Sequence, residues 1–295
     1  MGFTVTALVS RVRSKTVRAT MLWRCLVWCG TCVAVGATVA VEPPTETAID
    51  DGVVAETARA TSSLPAILEP HVQEALSRWE DDIASLEAAA DAREPDPQTV
   101  LVVGSSSVRL WADHIHRDLA PFVVDRRGYG GASYIDVAIF ADRLLRDQPY
   151  RALVLFAGND VRGRDDDHTP QEVTAAIDHI VEISRRHQPF APVLVVEVTP
   201  TPKREHLLEK TLRINTALRE HALLTPHVYF LPTWSHYTLA DGSVNARYFG
   251  DDRLHQSREG YELWSRLIRD RLAEVLRSEA LFRMRDSAGT HASHE

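Results

Sequence analysis

Residues 99–111 read TVLVVGSSSVRLW, an apolar run that passes through Gly104 and three serines into Val108, Leu110 and Trp111. Apolar side chains on successive positions of a short run predict a strand buried on both faces rather than one with a wet side. The turn that follows leads into a helical pattern, so a hydroxyl lies beside backbone N–H groups that have no intrahelical acceptor. Such a turn suits a nucleophile, and serines that merely cap a helix are the plainer reading. A dinucleotide loop is disfavoured because no G-x-G-x-x-G follows the strand. A G-x-S-x-G elbow is disfavoured because Val108 stands where its second glycine belongs.

Outward from this junction the alternation continues. The runs PFVV (121–124), ALVLFAG (152–158), PVLVVEV (192–198) and HVYFL (227–231) are separated by helical patterns such as SYIDVAIFADRLL (133–145) and PQEVTAAIDHIVEISRR (170–186). Buried strands with helices between them predict an α/β fold, a three-layer α/β/α sandwich on a five-stranded parallel sheet of flavodoxin-like type. A helix over His71 to Ala92 precedes the sheet, with Val72, Ala75, Leu76, Trp79, Ile83, Leu86 and Ala90 on one stripe. A last helix over Arg258 to Ser278 buries Tyr261, Leu263, Trp264, Leu267, Ile268, Leu272 and Val275.

The 295 residues include 33 Lys plus Arg against 41 Asp plus Glu, a formal charge of -8, so no basic field exists to attract nucleic acid. The first acidic residue is Glu42, whereas Arg11, Arg13, Lys15, Arg18 and Arg24 precede an uncharged run from Cys25 to Val41. That pattern predicts a signal peptide or membrane anchor over residues 1–41, and an exported domain in contact with the membrane only through this segment. Cys25, Cys29 and Cys32 all lie within the apolar run and read as small hydrophobes, because thiolates that hold an iron–sulfur cluster belong on a soluble loop. Residues 42–70, rich in Pro, Thr, Ala and acidic side chains, read as a flexible linker, residues 71–280 as the folded α/β domain, and residues 281–295 as a polar tail that frays.

Three loops leave the carboxyl ends of strands with chemistry-bearing residues: Gly104 to Ser107, the glycine-rich Arg126 to Ser133, and Gly158-Asn159-Asp160. With strand order 2-1-3-4-5 they surround one crevice beside the switch point. The segment Asp251-Asp252-Arg253-Leu254-His255 precedes the last helix. There a carboxylate three residues ahead of an imidazole can fold back to accept the Nδ1 proton, which leaves Nε2 free to take a proton from a serine. Asp165-Asp166-Asp167-His168 reads as a solvated charge run. His206 and His236 read as surface or structural residues, Thr199 to Pro202 as a rigid loop with a crevice wall as the second reading, and Trp234 and Tyr237 as either packing or a pocket floor.

These blocks, in this order, resemble the SGNH hydrolase superfamily of GDSL type, in the branch whose first block reads GSSS, from about Thr99 to Arg277. The resemblance implies that Ser106 is the nucleophile, that Asp252 and His255 form the dyad, and that the N–H groups of Ser106 and Gly131 and the amide of Asn159 form the oxyanion hole. It also implies a serine esterase without metal or other cofactor, acting on O-acyl esters, short or acetyl, of a carbohydrate, lipid or small molecule. Arg253 departs from the glycine often found at its position, and Gln256-Ser257 from the usual Leu-Asn. Two other functions fit parts of the pattern. Asp251, Asp252, His255 and the acidic loop suggest the ligands of a metal-dependent phosphoesterase, and a silent carbohydrate-binding module would keep the crevice without turnover.

Overall fold

The computed structural model describes residues 64–292 except Asp147. Its strands are β1 (Val100–Gly104), β2 (Val124–Gly128), β3 (Ala152–Phe156), β4 (Val193–Val196) and β5 (Val228–Leu231). They pair in parallel in the order β2-β1-β3-β4-β5, with Gly104 opposite both Gly128 and Phe156. The segment read as a signal or anchor, and most of the linker, lie outside the described residues. Among the described residues no helix is long and apolar enough to cross a membrane.

The helices in chain order are α1 (Val72–Asp91), α2 (Ser106–Trp111), α3 (His114–Asp118), α4 (Tyr134–Ile139), α5 (Ala141–Leu145), α6 (Pro170–His187), α7 (Leu208–Leu224), α8 (Trp234–Tyr237) and α9 (Arg258–Ala292). Successive strand residues point to opposite faces of the sheet. Leu101, Val103, Leu153, Leu155, Val193 and Val195 therefore meet α1, α4, α5, α6 and α7 in one core. Val100, Val102, Val154, Phe156, Leu194 and Val196 meet α2, α3 and α9 in the other. Trp111 of α2 stacks on Trp264 of α9 with centroids 5.1 Å apart, and the edge of Phe156 meets Trp264 at 4.7 Å.

Four elements differ from the sequence reading. The second strand starts at Val124, not at Pro121, and so contains Asp125, Arg126 and Arg127. Arg127, 3% exposed, donates through Nε to Asp125 at 2.9 Å, and Arg93 pairs with the same carboxylate. Neutralised in this way, charged residues occupy an edge strand that a search for apolar runs passes over. The linker ends earlier than Pro70: Leu68 is fully buried in the core, followed by a 3₁₀ turn over Glu69–His71. SYIDVAIFADRLL breaks into α4 and α5 at Phe140 (φ -99°, ψ 9°). The residues read as a polar tail are helical as far as Ala292: α9 meets no proline there, continues through Gly289, and carries Leu281 and Phe282 on exposed positions.

The start of α9 is pinned to the far end of the first crossover. Arg258 forks onto the buried Asp118 carboxylate at 2.7 and 2.8 Å, and Trp111 donates its indole N–H to the same group at 3.0 Å. Burial raises the pKa of Asp118, but the bonds from Arg258, Trp111 and Arg117 outweigh it and hold the group at about 2. Its stabilisation is thus present above the ordinary carboxylate range and is lost as pH falls toward 2.

Where β1 meets β3 there is no room for a side chain at position 104, since an added Cβ would lie 1.9 Å from the carbonyl oxygen of Phe156. Gly104→Ala must therefore spread two central strands. The expected loss is about 1–3 kcal/mol, the range for overpacking, read as a lowered midpoint in urea, and an unchanged midpoint would refute it.

Candidate active site

The carboxyl ends of adjacent strands deliver the residues of interest to one rim. Ser106 follows β1, Gly131 follows β2, Asn159 follows β3 and Thr199 follows β4, while His255 comes from the loop before α9. Ser106, Asn159, Thr199, Thr201, Arg204 and His255 share the lining of a cavity of about 40 Å³ with Phe156, Val198 and Leu254.

Local geometry separates the three serines. Ser105 is buried at the N-cap of α2; its N–H donates to Phe156 and its carbonyl accepts from Val108 and Arg109. Ser107 presents its carbonyl to the Tyr261 hydroxyl at 2.8 Å. Ser106 places Oγ 2.9 Å from Nε2 of His255, across 149 residues of sequence. On the other side of the ring, Nδ1 lies 2.5 Å from Oδ2 of Asp252. A carboxylate only accepts, so Nδ1 carries the hydrogen and Nε2 is left as an acceptor for the Ser106 O–H.

Asp252 is held by its own loop. Its Oδ1 accepts from the backbone N–H groups of Leu254 and His255, each at 2.9 Å. Burial pushes its pKa up, but these two bonds and that from the His255 ring outweigh it and lower the group to about 2. Arg253 takes φ 57°, the left-handed region that glycine enters freely and that costs other residues about 1–2 kcal/mol. The glycine common at this position thus answers to a backbone requirement that Arg253 meets under strain. Its carbonyl accepts from Lys203 and its N–H donates to Gly250, which closes the loop. Ser257, in the place of the usual Asn, accepts from the N–H of Gly260 at 3.2 Å and so serves the first turn of α9.

Ser106 is the first residue of α2, where a backbone N–H has no intrahelical acceptor. Asn159 lines both the cavity of Ser106 and a neighbouring one of about 60 Å³, which Gly131 (φ 79°) lines together with Trp79, Arg162 and His168. The carboxamide of Asn159 donates through Nδ2 to the carbonyl of Ala132 at 2.9 Å and accepts at Oδ1 from Arg204 at 2.7 Å. Arg204 is the residue the sequence reading missed. It lies in a 3₁₀ turn over Pro202–Leu207, and a Lys-Arg pair after a Thr-Pro repeat carries no pattern that marks either residue.

Other expectations change. Thr199, Pro200 and Thr201 do wall the cavity, rather than forming only a rigid loop. Asp167 is not a solvated charge. It accepts from the backbone N–H groups of Arg162, Gly163 and Arg164 and from Lys210; burial raises its pKa, and these bonds lower it to about 2. His168 faces Asp160 at 3.2 Å, and Asp160 also accepts the N–H of Tyr134. Tyr237 is fully buried among Val244, Phe249 and Leu263, and its hydroxyl donates to Gln256, so it packs rather than floors the cavity. Among the described residues no cluster of His, Cys, Asp and Glu is arranged to hold a metal ion.

A parallel sheet in this order, with a serine, imidazole and carboxylate in line at its carboxyl edge, is the setting of an acyl-transfer hydrolase. The chain belongs to the GDSL-like lipase/acylhydrolase family, whose model matches residues 94–263, and is thus a hydrolase of ester bonds. It is 29% identical over 192 residues to the platelet-activating factor acetylhydrolase IB subunit alpha1 of Bos taurus, across 63% of this chain and 80% of the relative. The alpha1 subunit of Pongo abelii is 28% identical over the same length. A solved GDSL-like lipase of Bacteroides thetaiotaomicron superposes with a TM-score of 0.54 at 18% identity, over 65% of this chain and 97% of its own, which is a likeness of fold.

Because Asp252 is held at about 2, its carboxylate stays ionised through the ordinary working range of pH. Only one protonation should therefore shape the acid side of kcat/KM. A plot of its logarithm against pH should fall with a slope near ~1 above about pH 4, whereas a slope near ~2 in that range means that the carboxylate titrates along with the ring.

Proposed function

We propose that the chain is a serine esterase that works through an acyl-enzyme, with Ser106 as nucleophile, His255 as general base and Asp252 as the carboxylate that orients and balances the ring. The observation that carries this reading is the unbroken line of contacts from Asp252 through His255 to Ser106, the last two on the wall of one cavity. As Oγ attacks an ester carbonyl, its proton passes to Nε2; the imidazolium then gives that proton to the leaving alkoxide, and water repeats the sequence on the acyl-enzyme. The negative oxygen is received by the N–H groups of Ser106 and Gly131 and by Nδ2 of Asn159. The end-of-helix position of Ser106 and the cavity-lining place of Asn159 support their roles, while Gly131, which lines the neighbouring cavity, enters through the family resemblance.

The substrate side of the proposal is a short acyl group, acetyl foremost, on a carbohydrate, lipid or small alcohol. The name of the mammalian relatives, acetylhydrolase, supports this choice. A metal-dependent phosphoesterase is less well supported, because Asp252 and Asp167 already accept backbone N–H groups and a basic side chain each. The basic stretch before Glu42 and the apolar run after Arg24 support an exported or tethered location.

Ser106→Ala should abolish p-nitrophenyl acetate hydrolysis and leave the thermal midpoint nearly unchanged, while Ser105→Ala and Ser107→Ala keep most of the turnover. Asp252→Asn should lower kcat by up to about 10⁴-fold, since it removes the acceptor that fixes the ring tautomer. Across p-nitrophenyl esters of increasing length, kcat/KM should be highest at acetate or propionate. Full activity of Ser106→Ala, or loss of activity on addition of EDTA, would overturn the serine mechanism.

A further inference from the structure

We infer that Arg204 is a positioning residue that fixes the orientation of the Asn159 carboxamide, so that an N–H rather than an oxygen faces the reacting carbonyl. The inference rests on the reading of Asn159 as an oxyanion donor.

A carboxamide has two nearly isosteric ends, and only its hydrogen-bond partners decide which way it points. Here the two partners are chemically one-sided. Arg204 Nη2 lies 2.7 Å from Oδ1 and can only donate, whereas the carbonyl of Ala132 lies 2.9 Å from Nδ2 and can only accept. A flipped amide would set N–H against guanidinium and oxygen against oxygen, two repulsive contacts in place of two bonds. One Nδ2 hydrogen is taken by Ala132, and the second remains for the cavity that Asn159 shares with Ser106 and His255.

The guanidinium is itself anchored. Its Nη1 donates to the carbonyl of Gly158, so one side chain clasps two successive residues of the loop after β3. Arg204 N–H donates to Thr201, and the preceding N–H of Lys203 donates to the carbonyl of Arg253, which joins this turn to the loop that carries Asp252 and His255. With both Nη groups engaged, Arg204 acts on the oxyanion through Asn159. The charge–dipole bond also draws electron density toward Oδ1 and makes Nδ2 a better donor.

The test is a double-mutant cycle on the full chain with p-nitrophenyl acetate. Arg204→Met should lower kcat about 10–10²-fold with KM within about threefold. Arg204→Lys should recover part of the loss, because an ammonium can still donate to Oδ1 as a point charge. Asn159→Ala should lower kcat about 10²–10³-fold, and the double variant Arg204→Met/Asn159→Ala should be no slower than Asn159→Ala alone. If the double variant loses the product of the two single effects, or if Arg204→Met raises KM with kcat unchanged, the positioning role is refuted while Asn159 keeps its own. If Asn159→Ala leaves kcat unchanged, the oxyanion reading fails first and takes this inference with it. Should Arg204→Met fail to fold, the same cycle with Arg204→Lys decides: its effect must vanish in the Asn159→Ala background.

Discussion

Parallel strands pair only through crossovers, so each strand of such a sheet starts at one edge and ends at the other. In this chain that constraint gathers Ser106, Gly131, Asn159 and Thr199 at one rim, although 93 residues separate the first from the last in the numbering of the chain. The arrangement depends on β1 being held tightly between β2 and β3. Gly104 makes this possible, because the carbonyl of Phe156 occupies the space a side chain would need, and the N–H of Ser105 donates to that same oxygen. The ladder thus runs without a gap into the turn that presents Ser106.

The imidazole arrives differently, since no strand of the sheet delivers it. The loop from Gly250 to His255 closes on itself, with the N–H of Gly250 bonded to the carbonyl of His255 and that of Arg253 to the carbonyl of Gly250. Its position relative to α2 is fixed from outside, by Arg258 on Asp118 and by the stacking of Trp111 against Trp264 and Tyr261. These contacts lie three or more residues beyond the ring and tie the start of α9 to α2 and α3. A buried ion pair contributes little net stability when both partners are counted, but loss of one partner strands the other. Here the pair also sets the register of the final helix.

The fold was legible because the strands are apolar on successive positions and the helices between them keep their period; both signals come from burial, which sequence records directly. Strand β2 was misplaced for the converse reason. Asp125 and Arg127 satisfy each other within the sheet, and mutual neutralisation leaves no apolar trace. The blocks that hold Ser106, Asn159, Asp252 and His255 stood out because they fall at strand ends and in a short loop, while the choice of Ser106 among three serines and the role of Asn159 came from the family resemblance. Arg204, Thr199 and Thr201 could not be ranked, since what matters about them is their partners. A guanidinium clasped on Gly158 and Asn159 has no spacing rule, and an unpartnered hydroxyl is visible only once its surroundings are known.

In the proposed reaction two opposite charges appear at once, on the imidazole and on the substrate oxygen, and the site treats them asymmetrically. The cation is met by a full charge: Asp252 stays ionised to about pH 2 because its own loop supplies two N–H donors that favour the carboxylate. The anion is met by neutral dipoles, with the cation of Arg204 set one bond further back behind Asn159. A guanidinium in direct contact with the oxyanion would also bind the ground-state carboxylate product and oppose the neighbouring imidazolium, by the ordinary Coulomb sign rule. Fixed dipoles avoid that penalty while still favouring the charge that develops during attack. Separating the roles in this way lets one small cavity stabilise both charges of the ion pair without neutralising the base that creates it.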